Sequence, residues 1–358
     1  MMTKLLILQP YIPHYREEFF RLLGEKVHQD IYVYKNTLDG KVRGFQMSTI
    51  DVKKIQNKQL KGFLFYNPIP FLFGKYDTVI LMWNFAHITT WFLLLTKFIH
   101  RKKIILWGQG ISVKRYLKEE HSLDWKLKYQ LKFADGAWVY MQKEKNQWTQ
   151  LFPKKHIIAL NNTISDVSSI VKIDVEKIKN ENKRKYRIKQ NRVLLFCARF
   201  ENPYRRIDLL IETIQRLNPN AFAFIIIGAG KLKPDFSAFK NVYDFGAVYD
   251  NQVKQELFAI ADIYFQPGWV GLSIVEAMAY SLPIFTFKRS EEIKQCVEYS
   301  YISHRENGFL FNDIDECVHV LQNITDDEIN IMGRNARQFV CDNLSMESMV
   351  NNALSTIL

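Results

Sequence analysis

The chain has 358 residues, 47% hydrophobic and 24% charged, which excludes a disordered chain, a collagen-like repeat and a disulfide scaffold and fits two domains better than one core. Forty-nine Lys and Arg against 37 Asp and Glu give +12, an excess that points to an anionic partner: nucleic acid, a phosphate ligand or a membrane surface. Residues 1–160 carry 26 basic and 12 acidic side chains and the remainder 23 and 25, so the basicity belongs to one half.

In chain order, short apolar runs alternate with helical periodicity from the first residues, the signature of parallel sheets with crossover helices. The N-terminal half predicts strands at Lys4–Gln9, Asp30–Lys35, Thr78–Met82, Lys103–Trp107, Ala137–Met141 and Ile157–Asn161, with helices over 17–26, 86–100, 123–134 and 143–151. The first apolar run is too short for a signal peptide, and no window offers the roughly 20 apolar residues of a transmembrane helix. Cys197, Cys296, Cys317 and Cys341 match no CxxC pattern, as in a reducing compartment without structural zinc. The expected location is the cytoplasm. Peripheral attachment at the inner face of the membrane stays open, because His100-Arg101-Lys102-Lys103 follows an apolar stretch and residues 63–73 are aromatic around two prolines. The alternative is a buried crossover helix with a solvated basic end.

Lys172–Gln190 breaks the pattern with dense mixed charge and no apolar face, and reads as a linker or solvated excursion. A second strand series follows at Arg192–Ala198, Ala223–Ile227, Val242–Asp244, Ile263–Gln266 and Ile284–Phe287, with helices near 206–217, 250–260, 272–281 and 313–323 and a helical region from about 326. The expected divisions are an N-terminal domain over 1–165, a linker over 166–190, a second domain over 191–335, and a C-terminal helix over 336–358 packing back toward the first. Open α/β sheets bind ligands beyond the carboxyl ends of their strands, so the expected site is a cleft between two Rossmann-like domains.

Four loops of the second half are candidates to carry chemistry. After Gln266-Pro267, the run Gly268-Trp269-Val270-Gly271-Leu272-Ser273 turns into a helix whose amides at Gly271, Leu272 and Ser273 suit phosphate, with Glu276 one turn in, placed for a diol. A lone helix glutamate is more often simply solvated; the glycine turn before it favours function. Arg199, Arg205 and Arg206 cluster at a strand end and helix start, where a cation opposes the helix dipole unless an anion is bound. Gly228-Ala229-Gly230 gives a close backbone approach but is a weak signal alone. Phe245-Gly246-Ala247-Val248 either reads a flat base edge or is a plain turn.

In this order, the arginines, Gly-x-Gly, Phe-Gly-Ala-Val and Gly-Leu-Ser-Ile-Val-Glu-Ala-Met-Ala-Tyr closed by Leu-Pro resemble the C-terminal domain of the retaining family-4 glycosyltransferases of the GT-B fold (glycosyl transferases group 1), over roughly residues 190–320. The resemblance implies an α/β fold of two Rossmann-like domains with parallel sheets facing a central cleft. It implies that Arg199 and Arg205 hold the donor diphosphate, Glu276 binds the ribose hydroxyls, Gly271, Leu272 and Ser273 add main-chain contacts, and Val248 lies near the base. Gly228, Gly230 and Gly268 complete the donor side. Two departures stand out: the family usually has Lys where Arg205 stands, and a second glutamate where this chain has Gly268. In such enzymes the diphosphate departs on the face that the acceptor attacks, without a protein nucleophile.

The acceptor falls to the first domain, where His14, Tyr15 and Arg16, then Gln109 and Gly110, crown strand ends, and His87 follows a third. His87 is a candidate base or donor-sugar contact against the commoner structural role of a lone histidine; Arg16 is a candidate for an acceptor phosphate. Asp313-Ile314-Asp315 mimics a metal-binding DxD, but it opens a helix, so N-capping explains it better and no essential metal or cofactor is expected. The expected activity is transfer of a sugar from a nucleotide-diphosphate sugar to a glycan or lipid-linked acceptor in surface polysaccharide or lipopolysaccharide assembly. The alternatives are a nucleotide-sugar 2-epimerase of the same fold and a non-catalytic nucleotide-sugar binding subunit. No nucleic-acid motif accompanies the charge.

Overall fold

The computed structural model describes residues 2–35 and 49–358. The chain divides into two units, Met1–Ser165 with Met346–Leu358, and Asp166–Ser345.

The first unit holds β1 (Lys4–Gln9), β2 (His28–Val33), β3 (Lys53–Lys54), β4 (Asn57–Leu60), β5 (Phe63–Tyr66), β6 (Thr78–Met82), β7 (Lys103–Trp107), β8 (Gly136–Val139) and β9 (His156–Ala159). Seven of them form a parallel sheet in the order β3-β2-β1-β6-β7-β8-β9. The central strands are buried on both faces, as helices covering a parallel sheet require. β4 and β5 form a separate antiparallel hairpin, which the polar, exposed Asn57–Leu60 run did not announce. The expected helix over 86–100 breaks at Thr96 into Ile88–Leu95 and Lys97–His100, ending at Arg101 in a left-handed conformation (φ 55°).

The second unit holds β10 (Arg192–Cys197), β11 (Phe222–Ile227), β12 (Val242–Asp244), β13 (Ile263–Phe265), β14 (Ile284–Phe287) and β15 (Gly308–Phe311), parallel in the order β12-β11-β10-β13-β14-β15. This is the doubly wound order, and its direction reverses between β10 and β13, so the loops after Cys197 and Phe265 flank the switch point where such sheets take ligands. A phenylalanine-rich core under the sheet, including Phe196, Phe224, Phe265, Phe285 and Phe311, fixes those strand ends.

Two expectations change. The segment read as a linker contains the helix Val175–Lys185, capped by Asp174 and packed on the helix Asn251–Ile260. Its charges are its contacts: Lys185 Nζ meets Glu256 at 2.6 Å, Tyr186 donates to the same carboxylate at 2.6 Å, and Lys179 meets Asp262 at 2.6 Å. Mixed charge without an apolar face is therefore a packed surface here. The single terminal helix expected over 336–358 is divided: Asp326–Asn343 belongs to the second unit, and Met346–Leu354 packs in the first against Glu17–Lys26. Met349, Val350 and Ile357 enter the first unit's core, and Trp138 donates from its indole to Thr356 at 2.6 Å.

Candidate active site

In the second unit, β10 delivers the chain to a short turn, Pro203–Arg205, capped by the Asn202 side chain, which accepts from the Tyr204 amide at 3.0 Å. Arg206 follows in a left-handed conformation (φ 54°) and forms a two-pronged pair with Asp208, at 2.6 Å from Nη2. That carboxylate occupies Arg206. Arg205 turns the other way and donates from Nη1 to the Trp269 carbonyl at 2.8 Å, while its buried Nε has no protein partner. It forms no ion pair among the described residues. Burial pushes the guanidinium below its ordinary range, and neighbouring Arg199 adds to this. A cation desolvated without a counter-charge is costly, and Arg199, exposed beside it, adds a second positive charge to the same loop.

The loop after β13 meets Arg205 through its backbone. Gln266, fully buried, donates from its amide to the carbonyls of Gly268 (3.1 Å) and Trp269 (2.7 Å), so the Trp269 oxygen receives two donors. Trp269 is left-handed (φ 54°) and stacks on Tyr204 with ring centroids 5.1 Å apart. A Cβ on Gly268 would collide with the Tyr204 carbonyl and stand 3.1 Å from Arg206 Cγ. The absence of a glutamate at 268 is thus built into the packing of the two loops. Gly271 by contrast faces open space.

The helix Ser273–Ala279 starts after Leu272 with no side-chain cap, and the amides of Gly271, Leu272 and Ser273 meet no protein acceptor among the described residues. Ser273 Oγ lies 2.9 Å from the Tyr264 hydroxyl, which donates to the Cys197 carbonyl at 2.8 Å, tying the two strand ends together. Glu276 Oε2 accepts from Lys254 Nζ at 2.7 Å, with both side chains largely buried. Burial opposes the ammonium charge of Lys254, but the surrounding groups, Glu276 foremost, together raise its pKa. The Cys197 thiol is pushed up to about 12 by burial, which leaves it unreactive.

The remaining donor-side candidates lie after the next strands of the sheet. Gly228 and Gly230 have φ of 147° and 149°, and a Cβ on either would strike the backbone of Ala198 or Phe200. Close packing against the β10 loop accounts for both. Val248 is half-buried after β12. Asp313 accepts from the Glu316 amide at 2.9 Å as an N-cap, and Asp315 pairs with Arg216 at 2.6 Å.

In the first unit the acceptor-side residues differ in exposure and in what they touch. His14 is exposed and Tyr15 half-buried, their rings edge to face at 5.7 Å. Arg16, expected at an acceptor phosphate, is turned inward: it donates to Asn162 and lies 5.6 Å from the Trp107 ring and 5.4 Å from the Tyr140 ring. Its Nη1 also lies 3.7 Å from Met349 Sδ. Buried among these groups it ties the first loop to the C-terminal helix. Gly110 (φ 73°) accepts at its carbonyl from the Trp148 indole at 2.9 Å, a packing contact, and Gln109 is half-buried. His87 is buried against the rings of Tyr34 and Tyr66, its Nδ1 without a partner among the described residues. Burial, with Lys35 adding, lowers its pKa to about 4, so the imidazole is neutral at pH 7.

Lys254, Gln266, Tyr204 and Trp269 join the site without having been expected there. Gln266, a polar residue closing an apolar strand, carried a visible signal; Lys254, 22 positions from its partner, carried none.

No curated protein matches the chain significantly. In structure the chain is similar to Anabaena Alr3699/HepE in complex with UDP (15% identity, 99% of each chain, TM-score 0.68) and to the apo form of the lipopolysaccharide outer core galactosyltransferase WaaB (15% identity, 99% of this chain and 100% of that one, TM-score 0.64). It is also similar to a UDP-N-acetylglucosamine 2-epimerase homologue of Listeria monocytogenes (12% identity, 100% of this chain and 96% of that one, TM-score 0.62). The fold, two Rossmann-like units with parallel sheets, is that of the GT-B glycosyltransferases, and residues 191–327 match the family model Glycosyl transferases group 1.

Proposed function

We propose that the protein is a retaining glycosyltransferase that binds a nucleotide-diphosphate sugar at the β10/β13 switch point and transfers the sugar to a glycan or lipid-linked acceptor in surface polysaccharide or lipopolysaccharide assembly. The observation that carries this is Arg205: a half-buried arginine with a buried, orphaned Nε and no carboxylate partner among the described residues, held by the Trp269 carbonyl. A diphosphate supplies the missing counter-charge. The open amides of Gly271, Leu272 and Ser273 support the same ligand, and Glu276, with one oxygen on Lys254, keeps its other oxygen for a ribose hydroxyl.

The chemistry asked of these residues is positioning and charge stabilisation. As the glycosidic bond to the diphosphate breaks, negative charge grows on the leaving oxygens, and a preorganised arginine meets it without reorganisation. Because Arg199 and Arg205 supply positive charge here, the reaction is proposed to run without an essential metal. The neutral His87 suits a hydrogen bond to a sugar hydroxyl better than storage of a proton.

The test is a thermal-shift screen of nucleoside diphosphates and their sugars, followed by turnover with lipid-extract acceptors. Stabilisation by one nucleotide series and acceptor-dependent release of the diphosphate are expected. Release of an epimerised nucleotide sugar without acceptor would reassign the site to a 2-epimerase, and binding without turnover to a non-catalytic subunit.

A further inference from the structure

Twelve of the eighteen exposed large apolar side chains among the described residues fall between residues 60 and 133 of the first unit. They lie on the β4–β5 hairpin, on Ile69–Phe73, on Ile88–Leu95 with Lys97–His100, and on the helix Trp125–Phe133. Phe73 is 79% and Phe98 77% exposed. On Trp125–Phe133 an aromatic stripe faces outward: Trp125, Tyr129 and Phe133, spaced four apart, are exposed, while Gln130 and Leu131 are buried.

These elements are joined. The Tyr66 amide donates to Thr89 Oγ1 at 2.9 Å, and the Tyr66 hydroxyl lies 2.8 Å from Thr90 Oγ1, which fixes the hairpin to Ile88–Leu95. Phe85 bridges the two helices, with ring centroids 5.9 Å from Trp91 and 6.5 Å from Trp125. Lys102 Nζ donates to the Gly74 and Tyr76 carbonyls, holding the end of Ile69–Phe73 beside the start of β7.

Charge on the same elements has one sign. Residues 57–76, 88–103 and 125–133 contain ten Lys and Arg and no Asp or Glu; of the ten, Lys97 alone forms an ion pair among the described residues, with Asp135. Lys126 Nζ lies 4.6 Å from the Phe85 ring, its stem across the apolar surface.

We propose that this face of the first unit docks the protein on an anionic lipid bilayer, with the aromatic side chains in the headgroup layer and the lysines on lipid phosphates. Exposed aromatics interleaved with lysine suit that interface, whereas lysine is depleted from protein–protein contacts. Leaving aside buried Lys102 and paired Lys97, a second copy would set eight cations against eight with no carboxylate on these elements, so the face is not self-complementary. No helix of the described residues is long and apolar enough to cross a membrane, which makes the contact a surface one. The proposal stands apart from the donor-site reading, since none of these residues belongs to the second unit.

Flotation of the full chain with phosphatidylcholine vesicles, with and without about 30% phosphatidylglycerol, tests it. Co-flotation is expected with the anionic vesicles at about 0.1 M salt and not with the neutral ones, falling steeply at about 0.5 M. Lys126→Glu with Lys128→Glu, and separately Phe98→Ser with Trp125→Ser, are expected to cut partitioning by roughly tenfold or more while the melting transition stays cooperative. Wild-type protein that fails to float with anionic vesicles, or floats equally with neutral ones, overturns the proposal. So do folded variants that float like the wild type, and a dimer seen by sedimentation velocity that Phe98→Ser with Trp125→Ser dissociates in place of any vesicle binding. The wild-type comparison needs no variant to fold, and its outcome does not depend on nucleotide binding.

Discussion

Lys254 Nζ donates to Glu276 Oε2 at 2.7 Å across 22 positions of chain, joining the helix after β12 to the helix after β13 in a largely buried pair. The pair fixes the orientation of the carboxylate that the proposed donor ribose meets. Removing Glu276 takes away the ribose acceptor and leaves the ammonium unpaired. Glu276→Gln is expected to weaken nucleoside-diphosphate binding about 10- to 100-fold by calorimetry. Lys254→Met leaves Glu276 in place but unheld, so a loss of about 1–2 kcal/mol in denaturant stability is expected with a smaller loss of affinity. Equal affinity in Glu276→Gln and the wild type would remove Glu276 from the site.

Arg205 makes the opposite trade. The Trp269 carbonyl meets one end of its guanidinium, but its buried Nε is unpaired and no carboxylate faces it among the described residues, so replacing it with an apolar residue of similar length relieves a cost while removing the proposed diphosphate contact. Arg205→Met is expected to hold or raise the melting temperature of the ligand-free protein and to abolish the upward shift that a nucleoside diphosphate gives the wild type. Arg205→Lys keeps the charge but loses the forked geometry; turnover reduced about tenfold, with the thermal shift retained, is expected. A strong ligand-induced shift in Arg205→Met would contradict the anion-site reading.

Gly268 tests whether the loop after β13 could carry a glutamate at that position. Its backbone is pressed against the Tyr204 carbonyl, and the loop above it is locked by the stacked Tyr204 and Trp269 rings and by Gln266. A glutamate there must displace the Pro203–Arg205 turn, and with it Arg205. Gly268→Glu is therefore expected to lose about 2 kcal/mol or more of stability and to bind nucleotide more weakly than the wild type. Gly271→Ala, where a Cβ meets nothing, is the control and is expected to fold normally. Gain of activity in Gly268→Glu would show that the loop yields.

Both parallel sheets were legible because their central strands are buried on two faces and read as unbroken apolar runs; β1 and β7 begin and end where the periodicity places them. The loops after Cys197 and Phe265 were legible for the same reason, since strand ends and glycines mark them. What escaped the sequence rests on pairings at long separation. Val175–Lys185 is a packed helix because Glu256 and Asp262 receive its lysines, and a charge run has no way to announce its partners. Arg16 turns inward because Asn162 and Met349, 146 and 333 positions away, receive it. Asn57–Leu60 is a strand only because Phe63–Tyr66 pairs with it.

His87 supplies a prediction in which the sign decides the outcome. In the folded first unit its pKa is lowered to about 4, by burial first and by Lys35 second, while the unfolded chain titrates near 6.5. Between those values the unfolded state binds the proton and the folded state does not, so folding is penalised as pH falls. The stability of the neutral, buried imidazole is complete above about pH 6.5, declines through the interval, and has no more to lose below about 4, a span of roughly 3 kcal/mol from this one group. Urea midpoints between pH 7.5 and 4.5 are expected to fall in the wild type and to fall less in His87→Phe, whose ring keeps the contacts to Tyr34 and Tyr66 without a titrating nitrogen. If His87→Phe shows the full wild-type slope, the imidazole is not held neutral by its burial, and the case for it as an uncharged hydrogen-bonding partner of the sugar falls with it.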